Sequence, residues 1–350
     1  MNISKDYAEY AAEKALELIS IDSPTGFCQN ATAWVYDAFT ALGYEASYTN
    51  KGAVLVSLGG AENAEEGALL LECHADTLGA MVAEIKGNGR LRLTNLGGLP
   101  ACNITTENAR VYTHLSDKVF EGTVQLKNAS SHVNGDLSKT ERTYDTVELV
   151  LDEPVESAED VRKLGIAVGD IVCVDPRSRI TESGYIKSRF LDDKLSVGIV
   201  LAFAKFLKDK ALTPSRPVYA MITTYEEVGH GGSAGIPADV KEALSIDMGC
   251  VGDGLTCTER MCSICAKDSG GPYDYSVVDR LIKAAKAEQA DYAVDIYPHY
   301  GSDVEATVKA GYDVRHGLIG SGVYASHGYE RSHIDGVYAT LKVLKGFLEL

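Results

Sequence analysis

Ala68-Leu69-Leu70-Leu71-Glu72-Cys73-His74-Ala75-Asp76 is the stretch whose reading decides the fold. Its apolar run, Ala68–Cys73, reads as a strand buried on both faces. The run ends in an imidazole and a carboxylate. In extended chain, residues i and i+2 point the same way. Asp76 is therefore placed to orient His74 or to hold its free ring nitrogen. The alternative is a buried histidine satisfied by a nearby aspartate.

Working outward, two further stretches repeat the pattern. Met221-Ile222-Thr223-Thr224-Tyr225 leads into Glu226-Glu227-Val228-Gly229, and Leu244-Ser245-Ile246-Asp247 leads into Met248-Gly249. Acidic groups and imidazoles at strand ends are where open α/β sheets build their sites. Two adjacent glutamates after a buried run repel each other and lose solvation, which is costly without a cation. One can bind a metal while its neighbour takes a proton from water; the alternative is a solvated strand end. For Asp247 the alternative is an ordinary turn aspartate. Leu191-Asp192-Asp193-Lys194 opens a helix, where aspartate is a good cap. One aspartate suffices for that, which leaves the other to bridge two cations. Together, one histidine, two separate aspartates and a Glu-Glu pair form the donor set of a two-metal hydrolase, in which imidazole and carboxylate hold Zn²⁺ and one position stays open for water.

The rest of the chain places these stretches. Helical spacing covers residues 5–19 and about 28–42, with Ser20 to Gly26 as the break and Gly43 as the stop. Ala53–Leu58 reads as another buried strand. From about Met81 to Lys187 short alternating segments appear, among them Arg110–Leu115, Val119–Leu126, Thr146–Leu151 and Asp170–Asp175. This is the texture of a small all-β barrel or sandwich, with one helical turn near Ser157–Leu164. An α/β rhythm then returns: a helix from about Asp193 to Lys208, strands at Val218–Thr224 and Leu244–Met248, helices near 273–289, 302–310 and 333–347, and strands near 293–297 and 314–319. The expected domains are a catalytic α/β domain of residues 1–80 and 188–350 and an inserted β domain of residues 81–187.

The length of 350 residues suits about two domains. A net charge of −17 argues against nucleic acid and against anionic membranes as partners. No apolar run approaches the roughly 18 residues of a membrane span. Met1-Asn2-Ile3-Ser4-Lys5-Asp6 has no leader pattern, and eight cysteines in such a chain are expected to be reduced thiols in the cytoplasm.

With His74-Ala75-Asp76, Leu191-Asp192-Asp193-Lys194, Glu226-Glu227-Val228-Gly229, Ile246-Asp247-Met248-Gly249 and Gly165-Ile166-Ala167-Val168-Gly169-Asp170 in this order, the chain resembles the tetrahedral aminopeptidases. These are the deblocking or glutamyl-type dinuclear zinc aminopeptidases, some of which are also described as endoglucanases. The resemblance runs nearly the whole length. It implies a mixed-sheet dinuclear-zinc-peptidase domain carrying the inserted barrel-like domain. It also implies that His74 and Asp247 bind one metal, that Glu227 and a C-terminal histidine bind the other, and that Asp192 bridges them. Glu226 would be the general acid/base and Asp76 would orient His74. The metals would be two divalent ions per subunit, Zn²⁺ with Co²⁺ or Mn²⁺ as alternatives. The substrates would be short peptides, and the insertion would build dimers into a dodecameric shell.

The family's usual Tyr-x-His-Ser/Thr-Pro element is absent here. His327 fits the last ligand by its distance after a strand and before the final helix; His333 is its rival. Gly301-Ser302-Asp303 matches a family Gly-Thr-Asp element near the substrate pocket, so Asp303 is expected either to line that pocket or to cap a helix. Cys250, Cys257, Cys262 and Cys265 superficially match iron–sulfur spacing, against the plainer reading of buried strand cysteines. Two rival functions stand beside the aminopeptidase: an endoglucanase-like glycoside hydrolase, which would need paired carboxylates without a required metal, and a catalytically silent oligomeric scaffold.

Overall fold

Ala68–His74 forms the strand its apolar run requires, and all seven residues are buried. The computed structural model that shows this describes residues 3–62 and 64–350. Met1 and Asn2, which belong to the stretch read above for a leader, lie outside the described residues. Ala68–His74 is paired in parallel with Val218–Thr223 on one side and Val240–Ile246 on the other. Arg315–Tyr324 continues the parallel set beyond Val240–Ile246. Four strands therefore bring their carboxyl ends to one edge. Antiparallel strands flank them: Val54–Gly59 and Glu45–Tyr48 on one side, and Glu330–His333, Tyr185–Ser188 and Arg179–Ile180 on the other. Gly249–Val251, Cys262–Lys267 and Tyr292–Ile296 complete a mixed twelve-stranded sheet.

Helix Asp6–Ile19 buries Tyr7, Ala8, Ala11, Ala12, Ala15, Leu18 and Ile19, the stripe that its 3.6-residue period predicts. It lies against Leu191–Asp209, where Gly198 allows the close approach: a Cβ there would sit 2.3 Å from the Ala11 carbonyl oxygen. The ammonium of buried Lys194 reaches the carbonyls of Leu18 (3.1 Å) and Ile21 (2.7 Å), satisfying acceptors at the helix end. Ile334–Phe347 adds a further buried stripe to the same core, which includes Val197, Phe203, Val337 and Leu344.

The chain divides into two compact units, Thr77–Pro176 and the remainder. Thr77–Pro176 holds a closed six-stranded antiparallel barrel of Gly79–Ile85, Leu91–Leu96, Val147–Leu151, Val119–Leu126, Asn108–Tyr112 and Ile171–Val174, in that order around the barrel. Along Val119–Leu126, Phe120, Gly122, Val124 and Leu126 face inward, as a period of two demands. Ser157 caps helix Ala158–Leu164 by accepting the Asp160 N–H at 3.2 Å, and Gly165 closes the helix at φ 93°. The far edge of the expected insertion moves back from residue 187 to Pro176. The reason is that Tyr185–Ser188 hydrogen-bonds along Glu330–His333 in the large sheet. No helix among the described residues is long and apolar enough to cross a membrane.

Candidate metal centre and active site

Every candidate ligand lies at the shared carboxyl edge of the four parallel strands or on the helix that meets it. His74 ends Ala68–His74, Glu226 and Glu227 follow Val218–Thr223, Asp247 follows Val240–Ile246, and His327 follows Arg315–Tyr324. Asp192 sits in the first turn of Leu191–Asp209, where Asp192 (φ −75°, ψ 104°) and Asp193 (φ −119°, ψ 19°) depart from helical geometry and are joined by a cis peptide. The expected helix start is an irregular turn, and the Asp193 carboxylate there accepts the His74 N–H at 3.2 Å. Phe190, Tyr225, Ala325 and His327, all within two residues of a candidate ligand or themselves one, hold left-handed φ values of 67°, 69°, 61° and 60°. Such conformations cost on the order of 1 kcal/mol each and collect where a site is held in shape by its surroundings.

His74 is buried and its Nδ1 lies 2.9 Å from the main-chain carbonyl of Asp76. A carbonyl only accepts, so Nδ1 carries the proton and Nε2 faces the site as a potential ligand atom. Nε2 is 3.2 Å from Asp192 Oδ1 and 3.6 Å from Glu226 Oε2. On the other side of Asp192, its Oδ2 is 3.6 Å from His327 Nε2, and that nitrogen is 3.8 Å from Glu227 Oε2. The Asp76 carboxylate lies 3.6 Å from His74 Nδ1. It accepts the backbone N–H of Glu226 (3.1 Å) and Glu227 (3.4 Å) and the Thr25 hydroxyl (2.6 Å). Asp76 therefore holds His74 chiefly through its carbonyl, and its carboxylate fixes the two glutamates.

Too many buried acids meet here for too little positive charge. Burial raises the carboxyl of Glu226, with Asp247 and Asp303 adding to the rise. Burial likewise raises Glu227, joined by Asp192, and Asp193, joined by Asp247. Asp247 is pushed up to about 7 by burial and the Asp192 charge. Burial works against the charged form of Asp192 too, but the hydrogen bonds of His327 and His74 hold it well below the usual carboxylate range. Burial alone would depress His74; Asp192, Glu226, Asp76 and Asp193 overcome it and raise the imidazole well above its usual value. The hydrogen bond to Asp192 carries His327 up to about 9 against the opposing effect of burial. Asp193 Oδ1 and Glu227 Oε1 are buried without hydrogen-bond partners. Orphaned carboxylate oxygens beside an imidazole fit a divalent cation in both charge and donor type. Two groups of donor atoms lie within 4.8 Å of one another: His74, Asp193 and Asp247, and His74, Asp192 and Glu227.

Asp193 is thus a candidate ligand beyond those expected from the sequence; the doubled aspartate was the available signal. His333 is not near this cluster. Its Nε2 lies 2.8 Å from the Ser183 carbonyl, and its Nδ1 accepts the Asp335 N–H at 2.9 Å as the cap of the last helix. Asp303 neither lines the cleft nor caps a helix. It is the first residue of Asp303–Lys309, accepts the Thr223 hydroxyl, and packs behind Gly231, where a Cβ would lie 2.0 Å from its Oδ1. Cys257, Cys262 and Cys265 are buried thiols, each pushed up to about 12 chiefly by burial. No cysteine belongs to a metal-ligand group among the described residues.

A cleft of about 270 Å³ opens on Asp192, Glu226, Glu227, Asp247 and His327, with His299, Tyr300 and Gly301 as its other wall. The Tyr300 hydroxyl donates to the Met248 carbonyl at 3.0 Å, which fixes that wall. A larger open depression of about 1000 Å³ lies at the amino ends of Val240–Ile246 and Arg315–Tyr324. There Arg280 and Arg315 are already paired with buried Glu242, as is Arg216 at 2.5 Å. Among the described residues, none of those lining it belongs to a metal-ligand group.

Imidazoles and surplus carboxylates converge on a small cleft at the sheet's carboxyl edge, a donor set that could hold a divalent cation. The chain belongs to the M42 glutamyl aminopeptidase family, whose model matches residues 52–343. That membership makes it an aminopeptidase. The Bacillus subtilis (strain 168) protein YhfE is 40% identical over 333 residues, 95% of each chain. An aminopeptidase of the archaeon Desulfurococcus kamchatkensis superposes with a TM-score of 0.86 at 21% identity, covering 98% of this chain and 95% of that one. The TET1 peptidase of Pyrococcus horikoshii, described as able to assemble into a tetrahedron or a large octahedral shell, gives a TM-score of 0.83 at 19% identity over 97% of this chain and 100% of its own. Both share the mixed sheet with a barrel.

Proposed function

We propose that the chain is a metal-dependent aminopeptidase that removes N-terminal residues from short peptides, using two divalent cations and a glutamate base. The observation that carries this reading is Asp192, which turns Oδ1 to His74 at 3.2 Å and Oδ2 to His327 at 3.6 Å. A carboxylate offering one oxygen to each of two ligand imidazoles suits a bridge. His74 and Asp247, with Asp193 beside them, would hold one cation; Glu227 and His327 would hold the other; Asp192 would serve both. Zn²⁺ suits these donors, as do Co²⁺ and Mn²⁺. Bound there, the cations would lower the pKa of water and polarise the scissile carbonyl.

The chain's own groups do the rest. Glu226 lines the cleft and its backbone is fixed by Asp76. Its carboxylate takes a proton from the attacking water as the new C–O bond forms. It returns that proton to the amine nitrogen as the C–N bond breaks. His74 is kept in one tautomer by the Asp76 carbonyl, and Tyr300 shapes the wall. The cleft's small volume favours the end of a peptide over a folded chain. By likeness to the shell-forming TET1 peptidase of Pyrococcus horikoshii, the chain would assemble into dimers and a dodecameric shell in the cytoplasm.

The decisive experiment strips the purified protein with chelator and assays aminoacyl-nitroanilides and a soluble cellulose. Loss of nitroanilide cleavage, restored by Zn²⁺ or Co²⁺, supports the reading. Chelator-resistant cellulose cleavage would replace it with the glycosidase, and no cleavage of either substrate before stripping would favour the silent scaffold. Light scattering reports assembly, and a monomer mass would overturn the shell.

A further inference from the structure

Glu330 lies outside the ligand set, yet its carboxylate is tied to two parts of it. The side chain is buried, with the residue only 2% exposed. Oε2 accepts the backbone N–H of Leu191 at 2.7 Å and of Asp192 at 3.2 Å, while Oε1 accepts the N–H of His327 at 3.0 Å. One carboxylate thus joins segments more than a hundred residues apart in the chain, and each segment carries a candidate ligand. Both segments need such a hold. Phe190, just before the first, and His327 itself have positive φ without being glycine, so local sequence preference does not maintain either turn.

Glu330 is well anchored for the task. Its strand, Glu330–His333, pairs on one side with Tyr185–Ser188, Ser188 facing Glu330, and on the other with Arg315–Tyr324 through Tyr324 and Arg331. The carboxylate therefore projects from a backbone that cannot easily shift. Three hydrogen bonds from two segments converge on this one side chain and leave little freedom to either loop.

We infer that Glu330 is a positioning residue whose carboxylate sets the separation of Asp192 and His327, and with it the affinity for the cation these two would share. This inference rests on the two-cation reading above. Changes to groups that hold metal ligands lower metal affinity by roughly 10–100-fold. The effect falls more heavily on one cation than on the other: Asp192 would serve both, but His327 only one, and Glu330 holds the backbone of each.

The test is calorimetric titration of chelator-stripped protein with Co²⁺, following the cobalt absorption spectrum in parallel. The wild type is expected to take up two equivalents. Glu330→Gln removes one acceptor, so one equivalent should weaken by roughly 10–100-fold while the other, which shares only Asp192 with it, weakens less. In a His327→Ala background, adding Glu330→Gln should cost less than it does in the wild type, because its hold on His327 is then without effect and only that on Asp192 remains. Unchanged affinities in Glu330→Gln, equal weakening of both equivalents, or a loss that adds in full to that of His327→Ala would each overturn the inference. Should Glu330→Gln fail to fold, Glu330→Asp, one methylene shorter with both oxygens kept, takes its place under the same criteria. A wild type that binds fewer than two cations overturns the two-cation reading and this inference together. A wild type that binds two beside an unaltered variant overturns this inference alone.

Discussion

Thr25 donates its hydroxyl proton to Asp76 Oδ2 across 2.6 Å, with both side chains buried. The same carboxylate receives the N–H groups of Glu226 and Glu227. Nearby, Ser23 donates to the Ala75 carbonyl at 2.7 Å. A turn near the start of the chain thereby steadies the carboxylate that holds the backbone of Glu226 and Glu227. Thr25→Val keeps the shape and removes the hydroxyl. We expect kcat to fall roughly 10-fold, the lower end of what orienting contacts contribute, with KM little changed, and Thr25→Ser to recover most of the loss. Steady-state kinetics on a nitroanilide decide. A normal kcat in Thr25→Val, or no recovery with serine, would reduce the bond to packing.

Glu226 and Glu227 are neighbours with separate expected duties. Glu226→Gln keeps size and polarity but cannot accept a proton. Activity should drop by roughly 10²–10⁴-fold, the usual contribution of a general base, while both cations stay bound. Glu227→Gln should instead weaken one cation, because it removes a charged oxygen beside His327. Metal analysis of each variant next to its activity separates the two roles. Loss of metal from Glu226→Gln would reassign it as a ligand.

How much of this was legible in the chain depended on where burial came from. Ala68–His74 was readable because all seven residues are buried, so the apolar run is itself the signal. Val119–Leu126 was readable because one face alone is buried. Glu330–His333 carries no such mark: Glu-Arg-Ser-His is polar, and it becomes a strand through partners on either side. Glu45–Tyr48 is a mostly exposed edge strand for the same reason. Arg315–Tyr324 runs past the expected end near residue 319 because Gly320 and Gly322 serve close packing there and not a turn. A Cβ on Gly320 would lie 1.5 Å from the Asp247 carbonyl oxygen, and one on Gly322 would lie 2.2 Å from that of Thr258. The candidate ligands were legible as residue types at strand ends. Thr25, which reaches Asp76 by one hydrogen bond, and Glu330, which reaches Leu191, Asp192 and His327 by three, leave no local pattern to read.

The two histidines near the C-terminus should respond in opposite ways. His327 faces Asp192 and Glu227, so His327→Ala should remove or strongly weaken one cation. It should also abolish most activity, with little change in the melting temperature of the metal-free protein. His333 caps Ile334–Phe347, so His333→Ala should leave metal content at the wild-type value and cost about 1 kcal/mol of stability, as cap removal does. Metal stoichiometry and thermal melting of both variants check this. Metal loss in His333→Ala with retention in His327→Ala would reverse the assignment.

Acid sensitivity has a traceable source at the start of the same helix. Burial disfavours the Asp335 charge, but the hydrogen bonds from Lys5 and Arg260, with His333 nearby, hold the carboxyl below its usual range. Lys5 Nζ lies 2.5 Å from Oδ1, and Arg260 Nη2 lies 2.5 Å from Oδ2. A carboxyl with a depressed folded-state pKa stabilises the fold fully above its unfolded value of about 3.9 and loses that contribution as pH falls through the folded value. These partners are partly solvated, so the contribution is about 1 kcal/mol at most. Asp335→Asn should therefore melt lower than the wild type at pH 6–7, and the gap should close progressively below about pH 4. Other titrating groups cancel to first order when the two proteins are compared at each pH. A gap that stays constant down to the acid transition would show that the ion pairs with Lys5 and Arg260 do not stabilise the helix start.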